Sequence, residues 1–344
     1  MDNKSLIIIV TYNSRDFIEN CLLSIVKQSY KGWFLVIVDN ASGDDTAGII
    51  REFRNTHSEI NPGNFKFVKL KKNIGFAGAV NYAVFNFMAE KKKDMEKCFK
   101  YLVLLNPDIY LPGGSMKKMI SFLDREDKKE AIPPGIGVAG GLILDYRRDT
   151  IQHMGGKVSD NFITSHISSG RSYSSFKRDL KHAGGRIGNF NLVNGVLEVD
   201  YATGAFFITE INLFKALGGF DSGYRPVYFE ELDYCRRVKK TGRKIVINLN
   251  SVARHFEGAS VKKFSRNFYK FYHKNRLRCA LINMGLIDFF RVFLKAEVKW
   301  IKSRATRDQH GPLFYAYFLN FIFLPYNLIV KIKNHLILNR LELK

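Results

Sequence analysis

The sequence predicts an α/β fold with a parallel sheet of nucleotide-binding type flanked by helices. Short apolar runs of strand length alternate with segments of helical spacing in the order β-α-β-α-β-α-β, which requires parallel neighbours joined through helices. The runs lack a polar side, as in strands covered on both faces. Four in succession end in polar residues, where a parallel sheet presents its carboxyl edge.

In chain order, SLIIIVTYN reads as the first buried strand. SRDFIENCLLSIVKQS follows with Phe17, Cys21, Ile25 and Gln28 at helical spacing, and WFLVIVDNAS is the second strand. GDDTAGIIREFRN reads as a helix, FKFVKL as a strand, GFAGAVNYAVFNFMAE as a helix and YLVLLNPD as the fourth strand. Residues 123–135, LDREDKKEAIPPG, read as a surface loop, after which IGVAGGLILD resumes as a strand. Residues 157–195 are rich in Ser, Gly, Asn and Lys with few apolar runs, which predicts a mobile insertion. VDYATGAFFIT is expected to return to strand, INLFKALGGF to helix, and EELDYCRRVKKTGRKIVIN to a helix followed by a strand. No repeat is visible at solenoid periods.

With 344 residues, 46% of them hydrophobic, the chain can bury the core of one large domain, alone or with an appendage, and disorder is excluded. Cys21, Cys98, Cys235 and Cys279 are scattered, with no close pair to suggest zinc or a redox motif, so a reducing compartment is expected. The opening MDNKSLIIIV holds an apolar run too short for a signal-peptide core or a spanning helix, so the bulk of the chain is expected in the cytosol. The net charge of +22 is uneven, since from Cys235 onward 24 Lys+Arg face 5 Asp+Glu. That asymmetry points to an anionic partner, either nucleic acid or an acidic membrane surface.

The polar strand ends are Thr11, Tyr12 and Asn13, then Asp39 and Asn40, then Lys72 and Asn73, then Asn106 and Asp108. One such group alone is an ordinary turn former or helix cap, but four successive strands ending this way mark a ligand-binding edge. Asp39 could accept from a ribose hydroxyl or a base N–H, and Asp108 could hold a hard divalent cation against diphosphate oxygens; the plainer alternative is two turn aspartates. NIGFAGAVN sets Gly75 and Gly78 where a helix opens and a ligand can approach the backbone, a weak glycine pattern by itself. Glu230, Glu231 and Asp233 crowd four positions after an aromatic run, which suits a general base with a raised pKa or, more plainly, a solvated acidic helix start. His255 in ARHFEGAS is a metal ligand or a histidine filling a strand end.

Seven segments, IIIVTYNS, VIVDNASGDDT, NIGFAGAVN, LLNPDIYL, ATGAFFIT, LGGFDSGYRPVYFEELDYCRRV and RHFEGAS, span residues 6 to about 260. Together they resemble the inverting family 2 glycosyltransferases of GT-A fold, especially the bacterial rhamnosyltransferase-like branch. The resemblance implies a GT-A catalytic domain over 1–262, built on a Rossmann-like mixed, mainly parallel sheet flanked by helices, with a nucleotide-binding half to about 110 and an acceptor half over 111–262. It implies that Asp39 contacts base or ribose, with Thr11, Tyr12, Asn13 and Asn73 lining the pocket and Gly75 and Asn106 beside them. Asn106-Pro107-Asp108 stands where the family carries Asp-X-Asp, with asparagine first, so Asp108 would hold Mg²⁺ or Mn²⁺ on the donor diphosphate, with His255 near it. The family's Glu-Asp pair falls on Glu230 and Glu231, which gives the base role to Glu231 with Asp233 in reserve, and Thr203 and Gly204 would line the acceptor side. The implied reaction is one inverting displacement from a nucleotide-diphosphate sugar to a hydroxyl of a lipid-linked, polyprenyl-linked or cell-surface glycan. The branch favours rhamnose; galactose, glucose, galactofuranose and mannose are the alternatives.

Beyond residue 262 the chain is expected to be basic, aromatic and helical. LIDFFRVFLKAEVKWIKSR and GPLFYAYFLNFIFLPYNLIVKIK interleave cations with Phe, Tyr, Trp and Leu, as suits anionic lipid. Leu313 to Val330 is uncharged but interrupted by Asn320, Pro325 and Asn327, favouring an interfacial helical hairpin over a spanning helix or plain core packing. The expected location is the cytoplasmic face of the cell membrane, peripherally held. Nucleic acid is not expected as a partner, because the cations travel with interfacial aromatics, and the tail could also join two copies into a homo-oligomer. The competing readings are a catalytically silent scaffold of a glycan-assembly complex and a nucleic-acid-binding protein.

Overall fold

The structure, a computed structural model, describes residues 4–86, 99–127, 135–182, 186–187, 190–191, 195–256, 265–303 and 308–342. The first half runs β1 (Lys4–Thr11), α1 (Ile18–Val26), β2 (Trp33–Asp39), α2 (Thr46–Thr56), β3 (Phe65–Lys69), α3 (Gly75–Asn81), β4 (Phe99–Leu105), β5 (Ile109–Tyr110), α4 (Ser115–Asp127) and β6 (Ile136–Asp145). The middle adds β7 (Ile151–His153), β8 (Gly156–Val158), β9 (Thr164–His166), α5 (Tyr173–His182), β10 (Arg186–Ile187), β11 (Phe190–Asn191), β12 (Val196–Glu198), β13 (Phe206–Glu210), α6 (Ile211–Ala216), α7 (Glu230–Lys240) and β14 (Lys244–His255). The last part is helical: α8 (Arg266–Asn283), α9 (Leu286–Asp288), a π turn (Phe289–Phe293), α10 (Leu294–Ile301), α11 (His310–Ile322) and α12 (Leu324–Glu342).

Ten strands form one sheet in the order β12-β14-β6-β13-β4-β1-β2-β3, with β5 beside β14 and β7 beside β6. β3, β2, β1 and β4 are mutually parallel, and β13 enters antiparallel between β4 and β6. Alternation splits each strand between two cores: Leu6, Ile8 and Val10 pack into one, Ile7 and Ile9 into the other. That two-sided burial is why β1 reads as apolar without a polar face. Register aligns the strand ends, with Thr11 opposite Asp39 and Asp39 opposite Lys69.

Several expectations change. The stretch expected as a surface loop from 123 begins inside α4, where Met116, Met119, Ile120 and Leu123 are buried at helical spacing; residues 128–134 lie outside the described set. The third helix is α-helical only to Asn81 and continues as a π turn over Tyr82–Asn86, while 87–98, including Cys98, lie outside the described residues. Within 157–195, where a mobile insertion is expected, β8 and β9 pair and α5 follows, with Phe162, Ile167 and Phe176 buried in the core; the few apolar residues there are the ones that anchor it. In VDYATGAFFIT only the end is strand, β13 starting at Phe206.

The expected boundary at 262/263 is one of charge, not of packing. α8 contributes Leu277, Cys279 and Ala280 to the same core as β1 and β4. Its Arg276 is buried and forms a two-pronged ion pair with Glu297 of α10, at 2.6 and 2.7 Å. Asn161, between β8 and β9, donates to the same carboxylate at 2.9 Å, so the late helices and the inserted hairpin share one polar centre.

Candidate active site

The first group of site residues lies at the carboxyl edge of β1 and β2. Asp39 is fully buried there, and its Oδ1 accepts from the Thr11 hydroxyl at 3.1 Å and from the Ser42 hydroxyl. Its Oδ2 is buried with no hydrogen-bond partner. A buried carboxylate oxygen without a partner is costly and marks a place where a ligand donor is due. Asn13 sits in the left-handed region, φ +53°, which turns its amide toward the Ser42 hydroxyl at 2.9 Å and its Oδ1 toward the Gly43 N–H at 2.8 Å. Tyr12 is exposed at the rim.

Asn40 and Asn73 latch the next loop to this edge. Asn40 Nδ2 donates to Asn73 Oδ1 at 2.9 Å and its Oδ1 accepts from the Ile74 N–H at 2.9 Å, while Asn73 Oδ1 also accepts from the Gly75 N–H. Gly75 has φ +78°, and an added Cβ would meet the Pro226 carbonyl at 3.3 Å. Glycine is required there because the Arg225–Pro226 loop crosses directly over the start of α3.

The second group forms where β4 ends. The Asn106 carbonyl accepts from the Ile109 N–H at 3.2 Å, closing a turn through Pro107 and Asp108. β5 then pairs with β14, setting Ile109 opposite His255, and Asp108 Oδ1 meets His255 Nε2 at 3.0 Å. Gln152 Oε1 lies 3.0 Å from His255 Nδ1 and fixes the ring from the other side. The thiol of Cys21 approaches the Asn106 carbonyl at 3.5 Å; burial first, then the Asp108 charge, raises its pKa. Cys235, pushed up to about 12 by burial, and Cys279, also raised by burial, are free buried thiols packed as small apolar groups.

The third group is the mouth of α7. Glu230 is buried, its Oε2 has no partner, and burial together with the charge of Glu231 raises its pKa well above the ordinary value. Glu231 is half-buried, raised by burial, and its Oε1 accepts from the Gly204 N–H at 2.9 Å. A Cβ on Gly204 would meet that carboxylate oxygen, so the glycine leaves Glu231 its present position against the loop. Thr203 is half-buried beside it.

Asp233 is placed differently. It is fully buried, its Oδ2 pairs with Arg237 at 2.9 Å, and its Oδ1 accepts from Asn283 Nδ2 at 2.7 Å and from the Tyr224 hydroxyl at 3.2 Å. Both oxygens are engaged in joining α7 to α8, so the carboxylate held in reserve for base work is structural.

Sequence reasoning singled out neither Ser42, Gln152 nor Asn275. Asn275 of α8 donates through Nδ2 to the carbonyls of Val227 at 2.8 Å and Tyr228 at 3.1 Å. Tyr228 and Phe229, at φ +82° and +77°, hold consecutive left-handed conformations immediately before Glu230. Each such residue costs about 1–3 kcal/mol, and the Asn275 bonds with the Tyr228–Phe268 and Phe229–Tyr272 ring contacts hold them. Nothing local in the sequence signals a partner that distant.

Comparison with known proteins follows the same geometry. The family model described as glycosyl transferase family 2 matches residues 6–189. A Bacillus subtilis protein named as a teichuronic acid biosynthesis glycosyltransferase is 29% identical over 122 residues, 35% of this chain and 42% of that one. The poly-beta-1,6-N-acetyl-D-glucosamine synthase of Staphylococcus epidermidis is 26% identical over 125 residues, 36% of this chain and 26% of that one. The chain thus spans less than half the length of these relatives. Among solved structures, a Pyrobaculum calidifontis mannosyltransferase in complex with GDP-Man and Mn²⁺ aligns with a TM-score of 0.52 at 18% identity, covering 94% of this chain and 75% of that one. Staphylococcus aureus TarS in complex with UDP-GlcNAc aligns with a TM-score of 0.54 at 16% identity, covering 96% of this chain and 89% of that one. The fold is GT-A.

Proposed function

Because the chain belongs to glycosyl transferase family 2, we propose that it transfers a sugar from a nucleotide-diphosphate sugar to a hydroxyl acceptor with inversion. The observation that carries this reading is the convergence on one sheet edge of an incompletely bonded buried Asp39, the Asp108–His255 pair and the raised Glu231. Asp39 Oδ2 accepts from the nucleoside, and the Asn40–Asn73 latch fixes the adjoining loop. Gly204 and Thr203 border the acceptor hydroxyl.

Asp108 and His255 would hold the divalent metal. Among the described residues no group of three or more His, Cys, Asp or Glu is placed to hold an ion, and Asp108 with His255 is the pair that would contribute ligands there beside the donor phosphates. An oxygen-rich set of that kind suits Mg²⁺ or Mn²⁺. Bound there, the metal offsets charge developing on the diphosphate. Glu231, oriented by the Gly204 N–H, takes the acceptor proton as the acceptor oxygen bonds to C1 and the C1–O bond to the diphosphate breaks, its electron pair leaving with the nucleoside diphosphate. No covalent enzyme intermediate is needed.

The donor sugar favoured by the resemblance is rhamnose, and the acceptor a lipid-linked or cell-surface glycan. The tail supports a membrane-bound acceptor. Among the described residues no single helix is long and apolar enough to cross a membrane, but α11 and α12 form a pair bent by 68° that passes that test together. Asn320 and Asn327 face inward: Asn320 donates to the Lys274 carbonyl and accepts from Asn327, which also accepts from Arg278. The outward faces are left apolar, with Phe314 at 74% and Phe321 at 77% exposure. An interfacial elbow at the cytoplasmic membrane surface fits that division of faces.

The test is thermal-shift binding of UDP, dTDP and GDP, each with Mn²⁺, Mg²⁺ or EDTA, to wild type and Asp108→Ala. Metal-dependent stabilisation by one nucleotide, absent in the variant, is expected. No stabilisation by any nucleotide in folded protein overturns the transferase reading in favour of a silent scaffold.

A further inference from the structure

A cavity of about 300 Å³ lies away from the strand tips, between the carboxyl ends of α7 and α8 and the second half of α12. Its polar wall is Arg237, Lys240, Asn283, Lys331, Asn334 and His335, and among the described residues no carboxylate lines it. Arg237 is committed to Asp233 and to the Leu217 and Gly219 carbonyls. Among the described residues no carboxylate forms an ion pair with either lysine, although the charge of Asp233 behind Arg237 acts on Lys240. Lys240 Nζ donates to the Asn283 carbonyl at 3.1 Å, and Lys331 Nζ to the carbonyls of Leu281, at 3.2 Å, and Met284.

Those carbonyls belong to the end of α8, so capping a helix terminus is the plain explanation for the lysines. It leaves two facts over. The Asn334 Nδ2 is buried on the cavity wall without a hydrogen-bond partner. Burial lowers the pKa of Lys240, the charge of Asp233 opposes that, and the nearby charge of Lys331 adds to it, a repulsion that one shared anion would relieve.

The position of the mouth narrows the choice of anion. Gly285 lines the cavity, and the next two residues, Leu286 and Ile287, are 70% and 67% exposed. On α12 the lining residues Lys331 and His335 are each followed by an exposed apolar residue, Ile332 and Leu336. The cationic cavity therefore opens at the rim of the apolar face, where a headgroup would lie if acyl chains ran along that face.

We propose that this cavity binds a phosphate monoester and that an anionic lipid headgroup supplies it. The proposal rests on the membrane-docked reading and names its ligand. Lys240 and Lys331 supply charge, Asn334 Nδ2 a neutral donor, and His335 the outer edge.

The test uses the full chain in co-sedimentation with vesicles of phosphatidylcholine alone, or mixed with phosphatidylglycerol or phosphatidic acid at equal surface charge. Wild type is expected to bind phosphatidic acid vesicles about tenfold more tightly than phosphatidylglycerol vesicles. Lys240→Gln with Lys331→Gln should reduce the first to the level of the second, with the unfolding midpoint and nucleotide binding showing that the protein is folded. Asn334→Leu, which keeps every charge and removes the neutral donor, should also erase the preference, and carries the test if the double variant does not fold. Equal binding of both anionic vesicles by wild type, or equal loss on both in the variants, overturns the pocket while leaving surface docking intact. Binding to no vesicle overturns both readings. Thermal stabilisation by inorganic phosphate that the variants lose, with no vesicle preference, overturns the lipid as source in favour of a soluble anion.

Discussion

Two sets of carboxylates serve the proposed reaction, and they are held by opposite means. Asp39 and Asp108 stand at strand ends, where parallel register and short loops place them with neighbours close in sequence or directly paired across the sheet. Glu230 and Glu231 open a helix whose mouth is kept in an unfavourable backbone shape by α8, far downstream. Sheet geometry makes the proposed donor edge; packing by the C-terminal layer makes the proposed acceptor edge. The second edge should therefore depend for its form on the residues packed behind it, while its own carboxylates can be neutralised without unfolding.

Substitutions can break that comparison. The largest expected effect is on turnover: Glu231→Gln should lower kcat by about 10²–10⁴-fold, measured by nucleoside-diphosphate release. Its unfolding midpoint should stay level or rise, because burial disfavours the ionised carboxylate it replaces. Asp233→Asn, two positions on, should show the reverse emphasis. It leaves Arg237 buried and unpaired, for a loss of about 3–5 kcal/mol in urea unfolding.

Smaller effects sharpen the same contrast. Asn275→Ala removes the donor to two carbonyls and should cost about 1–3 kcal/mol, with kcat falling while the donor KM is unchanged. Asn40→Ala should cost a similar or smaller amount, up to about 1–3 kcal/mol, but raise the donor KM, since it loosens only the nucleotide edge.

The pH dependence has a definite sign. Burial raises Glu230 and Glu231, so the folded protein keeps protons that the unfolded chain releases. Stability should therefore fall as pH rises from the ordinary glutamate value through the raised ones. Activity should rise over the same window as Glu231 ionises, seen as an acid limb of kcat/KM above the ordinary carboxylate range that disappears with Glu231→Gln.

The donor half was the more legible in the sequence. Runs such as LIIIV and LVIV announce covered parallel strands, and the polar residues after them fall on one edge because parallel strands end together. Asp108 and His255 were each ambiguous alone, and only the β5–β14 pairing makes them neighbours. The acceptor half was less legible because its determinants are tertiary. Asp233 and Glu231 look alike in the string EELDY, and it is Asn283 and Tyr224 that separate a structural carboxylate from a candidate base. The tail was legible as basic, aromatic and helical, yet composition alone hid that α8 belongs to the core.

The grip of α8 on the loop before Glu230 also bears on how such chains can be recombined. Lys274 reaches the Arg225 carbonyl, Asn275 those of Val227 and Tyr228, and Arg278 the carboxylate of Asp221. A chimera that joins this chain to a relative near residue 262 would separate a lock from its key. Viable crossovers should keep the 217–229 loop and α8 from one parent, and exchange only what lies outside that pair.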